Sequence, residues 1–119
     1  MTFALLCVGT TALCLALCAV LLVSPGLYTR LYGVTADAGG TFLGRRAAPL
    51  FLGLAVFFWV LRDVGQGPLQ DATAWAAALI FAGIAVTGIW AYLGGTASRG
   101  ILVAAMIEIA IAVAFLFSR

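Results

Sequence analysis

The sequence predicts an all-α integral membrane protein: a bundle of four transmembrane helices with a short interfacial helix in the first connection. Three observations carry this. Of the 119 residues, 66% are hydrophobic, against six basic and four acidic ones. The mean hydropathy of +1.24 exceeds what a soluble domain of this size can hide from water. The apolar residues also fall into four continuous runs, each able to cross about 30 Å of hydrocarbon at 1.5 Å per residue. Barrel strands would instead alternate over about ten residues. The chain is expected to form one domain.

The first run covers about residues 3–23. No basic segment precedes it, and it is longer than the apolar core of a secretory leader, so it reads as a retained span. Cys7, Cys14 and Cys18 fall roughly on one face of this helix. Without a CxxC pair or cysteines elsewhere, they read as small buried packing residues.

The first connection opens with Ser24-Pro25, a cap followed by proline in the first turn. Leu27, Tyr28, Leu31 and Tyr32 then form i,i+4 pairs around Arg30. That pattern predicts a short helix in the interface, its tyrosines at headgroup depth. Asp37-Ala-Gly-Gly predicts a turn.

The second span is placed at about 41–61. Pro49 to Leu61 alone is about 20 Å long and cannot cross. The helix must therefore begin between Gly39 and Phe42, which puts Arg45 and Arg46 in its first turns. Pro49 is expected to kink it, because proline lacks an N–H and its ring crowds the preceding turn.

Residues 62–71 are polar and rich in turn formers. Trp59 and Trp75 flank them and predict an aromatic belt on that face of the membrane. The third span is placed at about 72–93. Within it, Ala74, Ala78 and Ala82 form a small-residue stripe that permits close helix approach, as do Gly40 and Gly44 at the second span. Gly83 and Gly88 offer similar room. The third connection, 94–100, is a tight turn. Trp90 and Tyr92 precede it and share the opposite belt with Tyr28 and Tyr32. The fourth span is placed at about 100–117.

All six basic residues are arginines. Arg30, Arg45, Arg46 and Arg99 lie on the side of the first and third connections, Arg62 and Arg119 on the other. The positive-inside bias then puts the first and third connections in the cytoplasm of a bacterial cell, and both termini outside the inner membrane.

Glu108 is the residue that stands out. It is the one acidic residue inside an apolar span, about 13 Å deep by helical rise. An ionisable group at that depth is costly unless it is paired, neutralised or wetted. Three readings are open: a buried partner for an arginine that holds the helices in register, a proton- or cation-exchanging carboxylate, and a contact with another subunit. The second and fourth spans run in the same direction, so Arg45 or Arg46 is the expected ionic partner. Tyr92, Thr87, Thr10 and Thr11 are polar side chains within the spans that can hydrogen-bond a carboxyl group.

The stretches Leu31-Tyr-Gly-Val, Phe42-Leu-Gly-Arg-Arg and Pro49-Leu-Phe-Leu-Gly-Leu-Ala-Val-Phe-Phe-Trp-Val-Leu-Arg62 resemble a group of small bacterial four-span inner-membrane proteins. Tyr32-Gly33, Arg45-Arg46 and Gly53 carry most of that likeness. It implies the four-span layout and no particular activity. In length and span number the chain is also similar to small multidrug resistance transporters. Their working glutamate lies in the first helix, whereas here the glutamate lies in the fourth.

No soluble catalytic pattern appears. There is no histidine, no Ser-His-Asp set, no metal-ligand cluster and no phosphate-binding glycine loop. The expectation is a non-enzymatic protein without cofactor, acting in a structural, accessory, partner-binding or lipid-binding role. The alternative is a small proton-coupled carrier that uses Glu108. The expected partners are the lipid bilayer and a second copy or another membrane protein, with no nucleic acid. A carrier requires a cavity beside Glu108; a purely structural role requires a sealed contact.

Overall fold

The computed structural model describes residues 2–119. It is built of five helices: α1 (Phe3–Val23), α2 (Pro25–Leu31), α3 (Ala38–Leu61), α4 (Pro68–Leu93) and α5 (Gly100–Phe117). All but α2 are long and apolar enough to span a membrane. The molecule measures 44 × 27 × 17 Å, and its long axis matches a bilayer with its headgroups, about 40–45 Å. In such a solvent the backbone must satisfy its own hydrogen bonds, and helices do so within each segment.

Several boundaries have a local cause. Thr2 caps α1 by accepting the Leu5 N–H. Asp37 caps α3, its Oδ1 accepting the Gly40 N–H at 2.7 Å. Asp37-Ala-Gly-Gly is therefore the first turn of α3 and not a free turn, so this helix starts before position 41. It also continues through Pro49. Helix α4 begins at Pro68, a first-turn proline, four residues ahead of the expected start at 72.

α2 and α4 end alike. Gly33 (φ 71°) and Gly95 (φ 78°) take the left-handed conformation. In α2, Val34 N–H reaches Thr29 C=O and Gly33 N–H reaches Arg30 C=O; in α4, Thr96 reaches Ala91 and Gly95 reaches Tyr92. These paired bonds satisfy carbonyls that a helix end otherwise leaves open.

The spans pack as two pairs, α1 with α3 and α4 with α5. Thr11 joins the first pair: its hydroxyl donates to Cys7 C=O in its own helix at 2.9 Å and approaches Ala55 C=O of α3 at 3.2 Å. Alanine joins the second. Ala74, Ala77, Ala78 and Ala85 of α4 and Ala105 and Ala112 of α5 are buried, and Gly88 admits Ile101 (a Cβ there would lie 3.1 Å from its Cγ1). Small side chains let backbones approach, which is how helices gain contact in lipid. Gly83, by contrast, faces open space.

The pairs join near the chain termini. Phe3, Leu6, Cys7, Phe58, Ala74, Ala77, Ala78, Phe81, Ala112 and Phe115 form one buried cluster there. Phe115 meets Phe3 edge-on at 6.2 Å and Phe58 at 5.8 Å between ring centroids. Gln70, also buried, donates from Nε2 to Ser118 C=O at 2.9 Å and ties the start of α4 to the end of α5. Around this end, Arg62 lies over Trp59 and Arg119 over Trp75. Both tryptophans are about half exposed, as an interfacial belt requires.

Candidate functional site

Beyond the aromatic cluster the two pairs do not close on each other. They leave a chamber of about 220 Å³, with Glu108 of α5 on its wall. Helix α1 contributes Thr10 and Cys14, and α3 contributes Phe51 and Phe58. Tyr28 and Tyr32 reach in from α2 and its end. The remaining wall is aliphatic apart from Phe81 of α4, so a few polar groups converge in an apolar setting, the usual character of a small-molecule site. At about 30 Å³ per water the space equals roughly seven waters. It is smaller than the sites of about 300–1,000 Å³ that hold drug-sized ligands.

Helical spacing explains who faces the chamber. On α1, Thr10 and Cys14 are four residues apart on the buried face, with Cys7 one turn lower in the aromatic cluster. On α5, Ala104, Glu108 and Ile111 follow the same i,i+4,i+7 rule. Cys7, Cys14 and Cys18 are all free thiols.

Arg45 and Arg46 do not meet Glu108. Both are exposed, and among the described residues the one ion pair is Arg62 Nε to Asp63 Oδ2 at 3.4 Å. The inward stripe of α3 runs through Gly44, Ala48, Ala55 and Phe58, which are buried or close to a neighbour. At 100° per residue, Arg45 and Arg46 are turned about 100° and 200° away from it. Arg46 instead lies over the Phe42 ring at 5.8 Å.

The other expected partners are also elsewhere. Thr87 is exposed and donates to Ile84 C=O in its own helix at 2.9 Å. Tyr92 is half-buried and does not line the chamber. Thr11 is used between α1 and α3. Of the candidates named from sequence, Glu108 and Thr10 share the site.

Tyr28 and Tyr32, read from sequence as headgroup-depth residues of the interfacial helix, belong to the chamber wall as well. They stack edge to face at 5.2 Å and line the chamber. Leu27 and Leu31, which flank the tyrosines around α2, are exposed. The helix is amphipathic as expected, but its tyrosine side faces the bundle and its leucine side faces outward. The i,i+4 pair of tyrosines was the available signal.

Electrostatics agrees with this arrangement. The Tyr28 hydroxyl is pushed up to about 12, first by burial, then by Tyr32 and by the Glu108 carboxylate. Tyr32 is raised by burial and then by Glu108. Both phenols therefore keep their protons at physiological pH and are available as hydrogen-bond donors. A second hollow, an open groove of about 470 Å³ between α1 and α3, is lined by Val8, Thr11, Ala12, Leu15, Ala55, Val56 and Trp59. It carries no charge.

Comparison with protein families, curated proteins and solved structures finds no match. The chamber itself is therefore the basis for any functional reading.

Proposed function

We propose that this chain is a small multi-pass membrane protein that binds a small molecule, or one end of a lipid, in the chamber beside Glu108. One observation carries the reading: a carboxyl group with no cationic partner among the described residues lines a partly open chamber together with two tyrosines and a threonine. Ionisable groups inside membranes mark binding sites or ion paths more often than inert structure. The occupant that fits is mostly apolar and carries one hydrogen-bond donor or positive centre. Such a group would compensate Glu108, while the aliphatic and phenylalanine wall takes the rest.

The protein acts on this reading as a binding or accessory component of a bacterial inner membrane and not as an enzyme. The first and third connections face the cytoplasm, because Arg30, Arg45, Arg46 and Arg99 are all exposed on that side.

The test is thermal stability in nanodiscs with a panel of short alkyl amines, alkanols and matching alkanes. Amines or alkanols should stabilise the wild type more than alkanes do, and Glu108→Gln should remove the difference. Equal responses in wild type and variant would end this reading.

The chamber also favours a second reading, a proton-coupled carrier in which Glu108 exchanges a proton for substrate. Proton flux in proteoliposomes that is driven by a panel compound and lost in Glu108→Gln supports it. Unchanged flux in the variant removes Glu108 from any such mechanism.

A further inference from the structure

Helix α2 is rooted in one helix pair and fastened to the other. Its first residue, Pro25, is buried against Gly44 of α3, where a Cβ would lie only 3.0 Å from the Pro25 Cβ. Its far end crosses to the second pair. Ser98 N–H, in the α4–α5 connection, donates to Tyr32 C=O at 2.7 Å. Gly100, the first residue of α5, lies so close that a Cβ there would be 2.9 Å from Leu31 C=O. Between root and fastening, Tyr28 and Tyr32 form part of the chamber wall.

Three features suit this helix to movement as a unit. Its own bonds close it internally: Thr29 Oγ1 and Arg30 Nε both donate to Gly26 C=O, and the Gly33 end satisfies its last carbonyls. Ser24, at its start, makes no side-chain capping bond. Residues 34–37 after it lie outside any helix. The opposite end of the chamber has no such element, because the aromatic cluster of all four spans fills it.

We infer that α2 is a lid on the Glu108 chamber, pivoting at Ser24-Pro25 and latched by Ser98 N–H on Tyr32 C=O, and that the chamber is reached from the side of the first and third connections. The lid rests on the chamber being a ligand space, but its test needs no ligand. Cys14 lines the chamber and serves as the reporter once Cys7→Ala and Cys18→Ala remove the other thiols. A small, charged, membrane-impermeant thiol reagent is applied to proteoliposomes from each side in turn.

Gly100→Ala places a methyl against Leu31 C=O and wedges the latch without harming helix propensity. Ser98→Pro removes the latching N–H altogether. Gly53→Ala is the control, since a Cβ there meets nothing within 4 Å. With Gly100→Ala or Ser98→Pro, Cys14 should react at least tenfold faster than in the parent, from the side of residues 24–37 and 94–99. Gly53→Ala should match the parent. Parent-like rates in both latch variants overturn the lid, as does equal acceleration from the termini side or in Gly53→Ala. Circular dichroism checks that each variant is folded. Faster labelling together with no stabilisation by any panel compound keeps the lid and rejects the binding function.

Discussion

Glu108 of α5 and Tyr28 of α2 line one partly open chamber, although eighty residues separate them in sequence. The carboxylate's field adds to burial in holding the Tyr28 proton. The arginine contact that the sequence suggested is not made: among the described residues the one ion pair is Arg62 with Asp63.

The Tyr28 proton gives a pH dependence whose sign follows from the shift. The folded value, about 12, is above the ordinary value of 10.0. The folded state therefore keeps a proton that the unfolded state loses. The stabilisation is complete below about pH 10 and disappears as pH rises toward about 12. Unfolding in mixed micelles should show this loss, and Tyr28→Phe should flatten it. Tyrosinate absorbance should rise later in wild type than in Glu108→Gln. Ionisation of all three tyrosines together at the ordinary value would contradict the buried, carboxylate-facing placement.

Gln70 supplies a test of the termini end. Its side chain is buried and donates to Ser118 C=O. Gln70→Ala removes the donor and leaves that carbonyl without it, at a cost of about 1–2 kcal/mol. Steric trapping or detergent-induced unfolding measures this. The exposed neighbour Leu69 provides the comparison, and Leu69→Ala should change stability by less than about 0.5 kcal/mol.

Phe115 is fully buried between Phe3 and Phe58. Phe115→Ala should cost roughly 2–3 kcal/mol, below the range of about 3–5 kcal/mol for soluble cores. Lipid is as apolar as the core, so lost packing is the main term. It should also enlarge the chamber toward the termini and admit the Cys14 reagent from that side. An unchanged unfolding midpoint would show that the aromatic cluster does not seal the bundle.

The seam between α4 and α5 depends on small residues at defined positions. Ala74 is fully buried and Ala76 is exposed. Ala74→Leu should therefore destabilise by about 1–3 kcal/mol through overpacking, whereas Ala76→Leu, facing lipid, should be nearly neutral. Equal effects at the two positions would put the seam elsewhere.

The four spans were legible because continuous apolar length is the direct requirement of a bilayer. Their ends were less so. Asp37-Ala-Gly-Gly suits both a turn and a capped first helical turn, and the Gly40 N–H bond to Asp37 decides it. Glu108 was legible as a candidate because charge in an apolar run is conspicuous. Its surroundings were not. Whether Arg45 faces inward depends on which stripe of α3 is buried, and Gly44, Ala48 and Ala55 are too small to stand out as a core. The place of Tyr28 and Tyr32 on the chamber wall was not legible, because their amphipathic pattern does not say which side of α2 meets the bundle.

The most direct measurement is the mass of the protein released intact from its own membrane into mild detergent, by native mass spectrometry. Wild type should carry one small molecule per chain. Ala104→Leu and Thr10→Leu, which fill the chamber from α5 and α1, should carry none while remaining folded. A wild-type chain that flies bare, or the same bound mass on both filled variants, would contradict the chamber as a binding site.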